Sequence, residues 1–276
     1  MSKLSRFIAR KRRATRNLLW RIRNDYSPNA RALYILGVQR SGTTMLIDCL
    51  ERNPEIEVYG EDSAAMVDWR LRDNETIRRL IMSSPCKVVT FKPLTDSHRA
   101  AELLALSPGS AAIWAFRRFE DRANSAVAKF GTNNQELLAA LSRGERLDAW
   151  QALGLSPGNF DLIRSFDYQA MSAQSAAAVF WYVRNSLFFD QGLDERDDVL
   201  PLAYEELVAN PGPVLRSLCQ FMGCTFRDSM ISEVHEKSVG KKPSNIDARV
   251  AALCEPMYQR LRSAQERSWH ALGSSI

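Results

Sequence analysis

Apolar positions along the chain fall into short unbroken runs separated by longer stretches with helical spacing. Leu33-Tyr34-Ile35-Leu36-Gly37-Val38 is the first run, and a helical segment follows residues 39–44 and continues to about Arg52. Lys87-Val88-Val89-Thr90-Phe91 and Ala111-Ala112-Ile113-Trp114-Ala115-Phe116 come next, then residues 199–204 around Pro201. Runs this apolar predict strands buried on both faces of a parallel sheet, with helices between them. Pro201 cannot donate to a ladder, so it puts the fourth strand at an edge or makes it irregular. The pattern therefore predicts an α/β fold, a single domain with a central parallel β-sheet flanked by helices. Residues 132–180 are more polar and helical, interrupted by Gly154 and the Pro157-Gly158 turn, and predict either a cap over the sheet or a long crossover. Residues 209–223 read as a turn opening a helix, with Pro213 near its first turn and Gly223 just past its end. The C-terminal stretch alternates arginines with apolar residues at helical spacing, and Pro256 predicts a limit to its continuity.

Two segments carry chemistry. Gly37-Val38-Gln39-Arg40-Ser41-Gly42-Thr43-Thr44 stands where the first strand hands over to a helix. Backbone N–H groups and a helix N-terminus make an anion site at such a junction. The glycine spacing matches a nucleotide-binding P-loop, but Thr43-Thr44 replace the Lys-Ser/Thr pair that grips the β- and γ-phosphates. The cation has moved inside the loop, as Arg40. A tight turn with incidental glycines is the plainer alternative. Directly after the third strand comes Arg117-Arg118-Phe119-Glu120-Asp121-Arg122-Ala123-Asn124-Ser125. Arg117 can form bidentate, charge-assisted bonds to a phosphomonoester. Ser125 adds a neutral donor about two helical turns on, and Lys129 follows one turn later on the same face. Taken alone, this segment also reads as a solvated charged face.

Together the two segments resemble sulfotransferases that use 3′-phosphoadenosine 5′-phosphosulfate (PAPS). Arg40-Ser41-Gly42-Thr43-Thr44 after an apolar strand is similar to that family's 5′-phosphosulfate loop. Arg117 at a strand end with Ser125 eight residues on is similar to its 3′-phosphate motif. The resemblance implies PAPS as co-substrate, 3′-phosphoadenosine 5′-phosphate as product, no metal, and a P-loop-like strand–loop–helix. It implies transfer of a sulfuryl group to a hydroxyl of a carbohydrate, glycolipid, peptide or small-molecule acceptor. Gly60-Glu61-Asp62 looks like the branch that includes tyrosylprotein and carbohydrate sulfotransferases, in which a glutamate here is the general base. Lys92 looks like that branch's lysine near the transferring group. The resemblance thus assigns proton abstraction to Glu61 and charge stabilisation to Arg40 and Lys92. The cytosolic small-molecule branch uses a histidine instead, and His98 is the candidate that follows a strand. Tyr204-Glu205-Glu206-Leu207 with Asn210-Pro211 is also similar to a family segment, with Tyr204 laid against adenine. Ser238, ahead of Lys241-Lys242-Pro243, resembles the last nucleotide-contacting loop. On the residues alone, Glu61 and Asp62 also read as loop acids, Lys92 as a surface lysine and Tyr204 as strand-end packing. A P-loop kinase or NTPase, and a non-catalytic module that binds bisphosphate nucleotides, remain alternative functions. Acceptor-binding loops are expected around residues 62–84 and 131–175.

Charge refines this picture. The chain carries 37 Lys+Arg against 32 Asp+Glu, a net charge of +5. Residues 1–25 hold nine basic side chains and one acid, so residues 26–276 carry a net −3. Basicity belongs to an N-terminal arm, residues 1–28, ahead of a domain spanning 29–276, and a nucleic-acid footprint is not expected. Leu4, Phe7, Ile8, Leu18, Leu19 and Ile22 fall roughly on one helical face of the arm. Such a helix suits peripheral contact of residues 1–25 with an anionic membrane surface, an organelle transit peptide, or a solvated tail. The longest apolar run, residues 176–183, is far short of the roughly 18 residues a spanning helix needs. Five cysteines without paired spacing argue against a zinc site or disulfide framework and point to a reducing, cytoplasmic setting.

Overall fold

Each apolar run forms a strand, and a fifth strand joins them in one sheet. The computed structural model describes Thr15 and residues 30–234, 240 and 243–273. Apart from Thr15, the basic arm before residue 30 lies outside the described residues, as do His235, Ser238 and the Lys241-Lys242 pair. Strands β1 (Arg31–Gly37), β2 (Ile56–Tyr59), β5 (Val88–Phe91), β6 (Ala111–Phe116) and β7 (Val199–Ala203) form a five-stranded parallel sheet in the order β2-β5-β1-β6-β7. A two-residue hairpin, β3 (Met66–Val67) and β4 (Arg70–Leu71), pairs separately and antiparallel.

The sheet is apolar throughout because both faces are covered. Alternate residues of β1 and β6 enter different cores. Tyr34, Leu36, Ala112, Trp114 and Phe116 enter one core, whereas Leu33, Ile35, Ala111 and Ile113 enter the other. Helix α1 (Thr43–Leu50) and helix α9 (Pro211–Met222) supply buried residues to the second core. The first core is built on α2 (Asn74–Met82), α3 (Ala100–Leu104), α4 (Phe119–Phe130), α5 (Asn133–Ser142), α6 (Pro157–Arg164) and α7 (Ala173–Asp190). Residues 132–180 are therefore part of the long connection from β6 to β7. Their helices pack on the first core; α7 has thirteen buried residues.

β7 is a regular edge strand despite Pro201, which sits opposite Trp114. A single helix, α10 (Ala248–Ala271), runs along that edge and through Pro256 without a break, which corrects the expected interruption. A proline costs one intrahelical hydrogen bond. Here the helix on both sides of it is anchored by Val250, Cys254, Met257, Tyr258, Leu261, Ala264 and Trp269, all buried. Gln265 Oε1 accepts from Ala203 N–H at 2.6 Å, and Trp269 Nε1–H donates to Pro201 O at 2.8 Å. The side chains of α10 thus occupy backbone groups of the edge strand, which an exposed edge would offer to another chain. The short helix α8 (Tyr204–Ala209) follows β7 directly, and α9 ends at Gly223 in the left-handed conformation, where the sequence placed its end. All five cysteines are free thiols; Cys49, Cys86, Cys219 and Cys254 are buried. Among the described residues no helix is long and apolar enough to cross a membrane.

Candidate active site

In a parallel sheet, ligands are received at the carboxyl ends of the strands. Five segments meet there: the loop after β1, Gly60-Glu61 after β2, Lys92 after β5, Arg117 after β6 and Tyr204 after β7. The loop is strained in a way that suits an anion. Gly37, Arg40 and Gly42 all have positive φ (114°, 71° and 81°). A Cβ on Gly37 would come 2.2 Å from Ala115 O, and one on Gly42 would come 2.2 Å from the Tyr204 ring. Both positions therefore demand glycine on conformational and steric grounds. Non-glycine backbone in the left-handed region is strained and collects at functional sites, which puts Arg40 in that class. The loop is tied down at its start by Ser97, whose Oγ accepts from Gly37 N–H at 3.0 Å. Ser41 is buried, and its Oγ has no hydrogen-bond partner among the described residues. A buried hydroxyl without a partner is uncommon and marks Ser41 as a candidate donor.

The predicted residues sort into three contacting groups. In the first, Lys92 Nζ donates to Thr44 Oγ1 at 3.0 Å and pairs with Glu61 Oε1 at 3.3 Å. The Lys92 side chain is 8% exposed and that of Glu61 40%. Lys92 is thus a buried cation at the loop rather than a surface lysine. In the second, Arg40 Nε donates to Ser125 Oγ at 3.1 Å, joining the loop to α4. In the third, the Arg117 guanidinium lies 4.3 Å from the Tyr204 ring centroid, in cation–π range, and that ring also packs against Gly42. Arg117 is buried; its Nη2 is 3.7 Å from Asp121 Oδ2, and Asp121 also accepts from Gly240 N–H at 2.9 Å. The carbonyl of Arg117 accepts from Trp181 Nε1–H at 2.9 Å, which fixes the end of β6.

Other positions stand apart. Lys129 is exposed in the last turn of α4 and joins none of these groups. His98 points Nδ1 at Thr95 O, 3.3 Å away, and its Cβ fills the space beside Gly154. Burial, then the positive charge of Arg184, holds its pKa below the usual histidine value, so its neutral form is favoured. Burial raises the pKa of Glu205, against the opposing hydrogen bond from Arg118 N–H and the charge of Arg117. Two contributors escaped the sequence reading. Ser97 has no spacing signature. Arg122 does have one, because it lies three residues before Ser125 on α4 and so shares its face.

The segment beside Lys92 has a distinct build. The β3–β4 hairpin turns through Asp68 and Trp69, both with positive φ (49° and 61°). Asp96 Oδ2 accepts from Leu71 N–H at 2.8 Å, and Thr95 Oγ1–H donates to Trp69 O at 2.6 Å. The hairpin is thereby pinned to the turn that follows Lys92. It presents Trp69, 65% exposed, and Val67, 49% exposed. No group of His, Cys, Asp and Glu suited to a metal ion occurs among the described residues.

The chain matches no protein-family model, and a search of curated proteins finds no match. Solved structures do resemble it. A sulfotransferase domain from the curacin biosynthetic pathway is 15% identical, with a TM-score of 0.48 over 90% of this chain and 99% of that one. A sulfotransferase from Alicyclobacillus acidocaldarius is 14% identical, with a TM-score of 0.48 over 91% of this chain and 97% of that one. A sulfotransferase domain from the Synechococcus PCC 7002 olefin synthase is 13% identical, with a TM-score of 0.43 over 92% of this chain and 100% of that one.

Proposed function

We propose that the protein transfers a sulfuryl group from PAPS to a hydroxyl-bearing acceptor. The observation that supports this reading is the placing of two groups suited to anions at neighbouring strand ends. One is the strained loop with its orphaned Ser41 hydroxyl. The other is the buried Arg117 next door, directly after β6. A nucleotide with phosphate groups at both its 5′ and 3′ positions matches two such sites, whereas a simple triphosphate needs only one. In this reading Arg40, Ser41, Gly42, Thr43 and Thr44 hold the 5′-phosphosulfate, and Arg117 and Ser125 hold the 3′-phosphate. Tyr204, buried under the Arg117 guanidinium and against Gly42, holds those two groups in place and offers no open ring face for adenine.

The chemistry follows from the Glu61–Lys92–Thr44 group. The acceptor oxygen forms a bond to sulfur as the bond from sulfur to the bridging phosphate oxygen breaks. Glu61 takes the acceptor proton, and the charge that develops on the departing phosphate falls to Lys92 and Arg40. Without substrates, Lys92 and Glu61 neutralise each other at 3.3 Å. An incoming anion competes for Lys92 and frees the Glu61 carboxylate for the acceptor. Glu61 suits the base role better than His98, since it touches Lys92 whereas His98 hydrogen-bonds Thr95 O and packs beside Gly154. Positioning and electrostatics supply most of the acceleration in loose group transfers of this kind. The protein carries its cations as side chains, so no metal is required by this scheme.

The test has two arms. Thermal unfolding with 3′-phosphoadenosine 5′-phosphate should show a concentration-dependent rise in midpoint, because a ligand of the folded state stabilises it by mass action. ATP with Mg²⁺ should give a much smaller rise, and the reverse order would favour a kinase-type nucleotide site. Labelled sulfate from PAPS should then appear on an acceptor in an extract. Tight bisphosphate binding with no transfer to any hydroxyl would leave a binding module.

A further inference from the structure

Arg122 lies wholly inside the protein, 0% exposed, behind the phosphate loop. Its Nε–H donates to Gln39 O in the loop at 3.1 Å. Its Nη1 donates to Ala177 O on α7 at 2.8 Å and to Asn134 Oδ1 on α5 at 3.3 Å. Nη2 has no hydrogen-bond partner among the described residues. The guanidinium stands 5.1 Å from the Phe180 ring centroid, and the charge that acts on it is the like charge of Arg40. Burial, and then Arg40, push its pKa down to about 9. A buried cation facing another cation is costly, and the cost is relieved when an anion arrives beside them.

The loop geometry gives this cation a task. In a planar trans peptide, C=O and the next N–H point in opposite directions. Drawing Gln39 O toward Arg122 therefore turns Arg40 N–H to the other side of that peptide, away from Arg122. Arg122 and Ser125 share one face of α4, and Ser125 holds the Arg40 side chain. Arg184 is also enclosed on α7, yet its bonds go to three carbonyl groups of another loop, those of Trp150, Gln151 and Leu153. Burial is the cause of its lowered pKa, with no neighbouring charge involved. Arg184 serves that loop; Arg122 serves the anion site.

Resting on the sulfuryl-transfer reading above, we propose that Arg122 is a positioning residue for the 5′-phosphosulfate, orienting the loop backbone and supplying a buried positive charge behind it. Calorimetric titration of Arg122→Met and Arg122→Lys with adenosine 3′,5′-bisphosphate and with adenosine 3′-phosphate tests this. Arg122→Met should weaken the bisphosphate by about 10- to 100-fold, the scale of one charge acting across several ångströms of protein. It should leave adenosine 3′-phosphate nearly unchanged. Arg122→Lys should recover most of the loss, because the charge remains. Should the methionine variant not fold, the lysine variant decides alone by keeping the preference for the bisphosphate. Unchanged bisphosphate affinity in Arg122→Met would overturn the proposal. Equal losses for both nucleotides in either variant would also overturn it, since that is what general loosening of the site produces. A wild-type protein that binds both nucleotides equally would instead remove the sulfuryl-transfer reading itself.

Discussion

The two halves of the candidate site are built on different principles. The donor half, the loop and the start of α4, gathers its groups through local geometry: glycine-dependent backbone, a helix N-terminus, and two α4 residues three apart reaching the loop. The acceptor half gathers Glu61, Lys92 and the Trp69 hairpin through contacts between segments that are tens of residues apart in sequence. Cations dominate the donor half, where Arg117 and Arg122 are buried and Arg40 is exposed. In the acceptor half one buried cation is paired with one half-exposed acid. An anion-binding site can be rigid before its ligand arrives, whereas an acceptor site has to release a base at the moment of reaction. Under the proposed sulfuryl transfer, the charge layout of the two halves fits that difference.

The sharpest way to separate the halves is to remove one acid or one cation from each and read binding and turnover independently. Glu61→Gln belongs to the acceptor half and carries the largest expected effect. Turnover should fall by about 10²–10⁴-fold, the usual contribution of a general base, while the dissociation constant for 3′-phosphoadenosine 5′-phosphate stays as it was. Steady-state rates with labelled PAPS and calorimetric titration give the two numbers. Retained turnover would move the base away from Glu61. Arg117→Ala belongs to the donor half and should act on binding. Loss of a charge-assisted contact predicts about a 100-fold drop in affinity for the bisphosphate, with adenosine 5′-phosphate hardly affected. Equal losses for both nucleotides would mean that Arg117 holds the strand end together rather than a 3′-phosphate.

The same division explains what could be read from the sequence. The strands beginning at Arg31, Val88, Ala111 and Val199 were visible as apolar runs, because a strand buried on both faces needs no polar alternation. The anion loop and Arg117 were visible because their spacing is local. β2 was missed: Ile56-Glu57-Val58-Tyr59 alternates like a half-exposed strand, is only four residues long and lies at the opposite edge of the sheet. The interruption expected at Pro256 did not occur, since packing on both flanks outweighs one lost helical bond. The pinning of the Trp69 hairpin by Thr95 and Asp96 had no sequence signature, because it depends on the fold bringing two distant turns together. Arg122 was concealed among charges that looked solvated, and its burial sets it apart from Arg118, which is partly exposed and pairs with Glu120 and Glu255.

Glu205 offers the finest comparison, since it is the donor half's counterpart to Glu61. Its Oε1 accepts from Arg118 N–H at 3.0 Å, while Oε2 is buried with no hydrogen-bond partner among the described residues. Burial raises its pKa above the ordinary carboxylate value. A group whose folded pKa is raised contributes its stability at low pH and loses that contribution as pH rises through the folded value. At neutral pH the buried charge of Glu205 therefore opposes folding. Glu205→Gln keeps an oxygen for Arg118 N–H and removes the charge. Its unfolding midpoint should lie above that of the wild type at pH 7–8, by an amount that shrinks as the pH falls toward the carboxylate range of about 4. Glu61→Gln should show no such gain, because it gives up the pair with the buried Lys92 cation. Thermal melts of both variants across that pH span decide the matter. A gain for Glu205→Gln that grows as the pH falls would show that its carboxylate is favoured in the folded state, and the contrast between the two acids would fail.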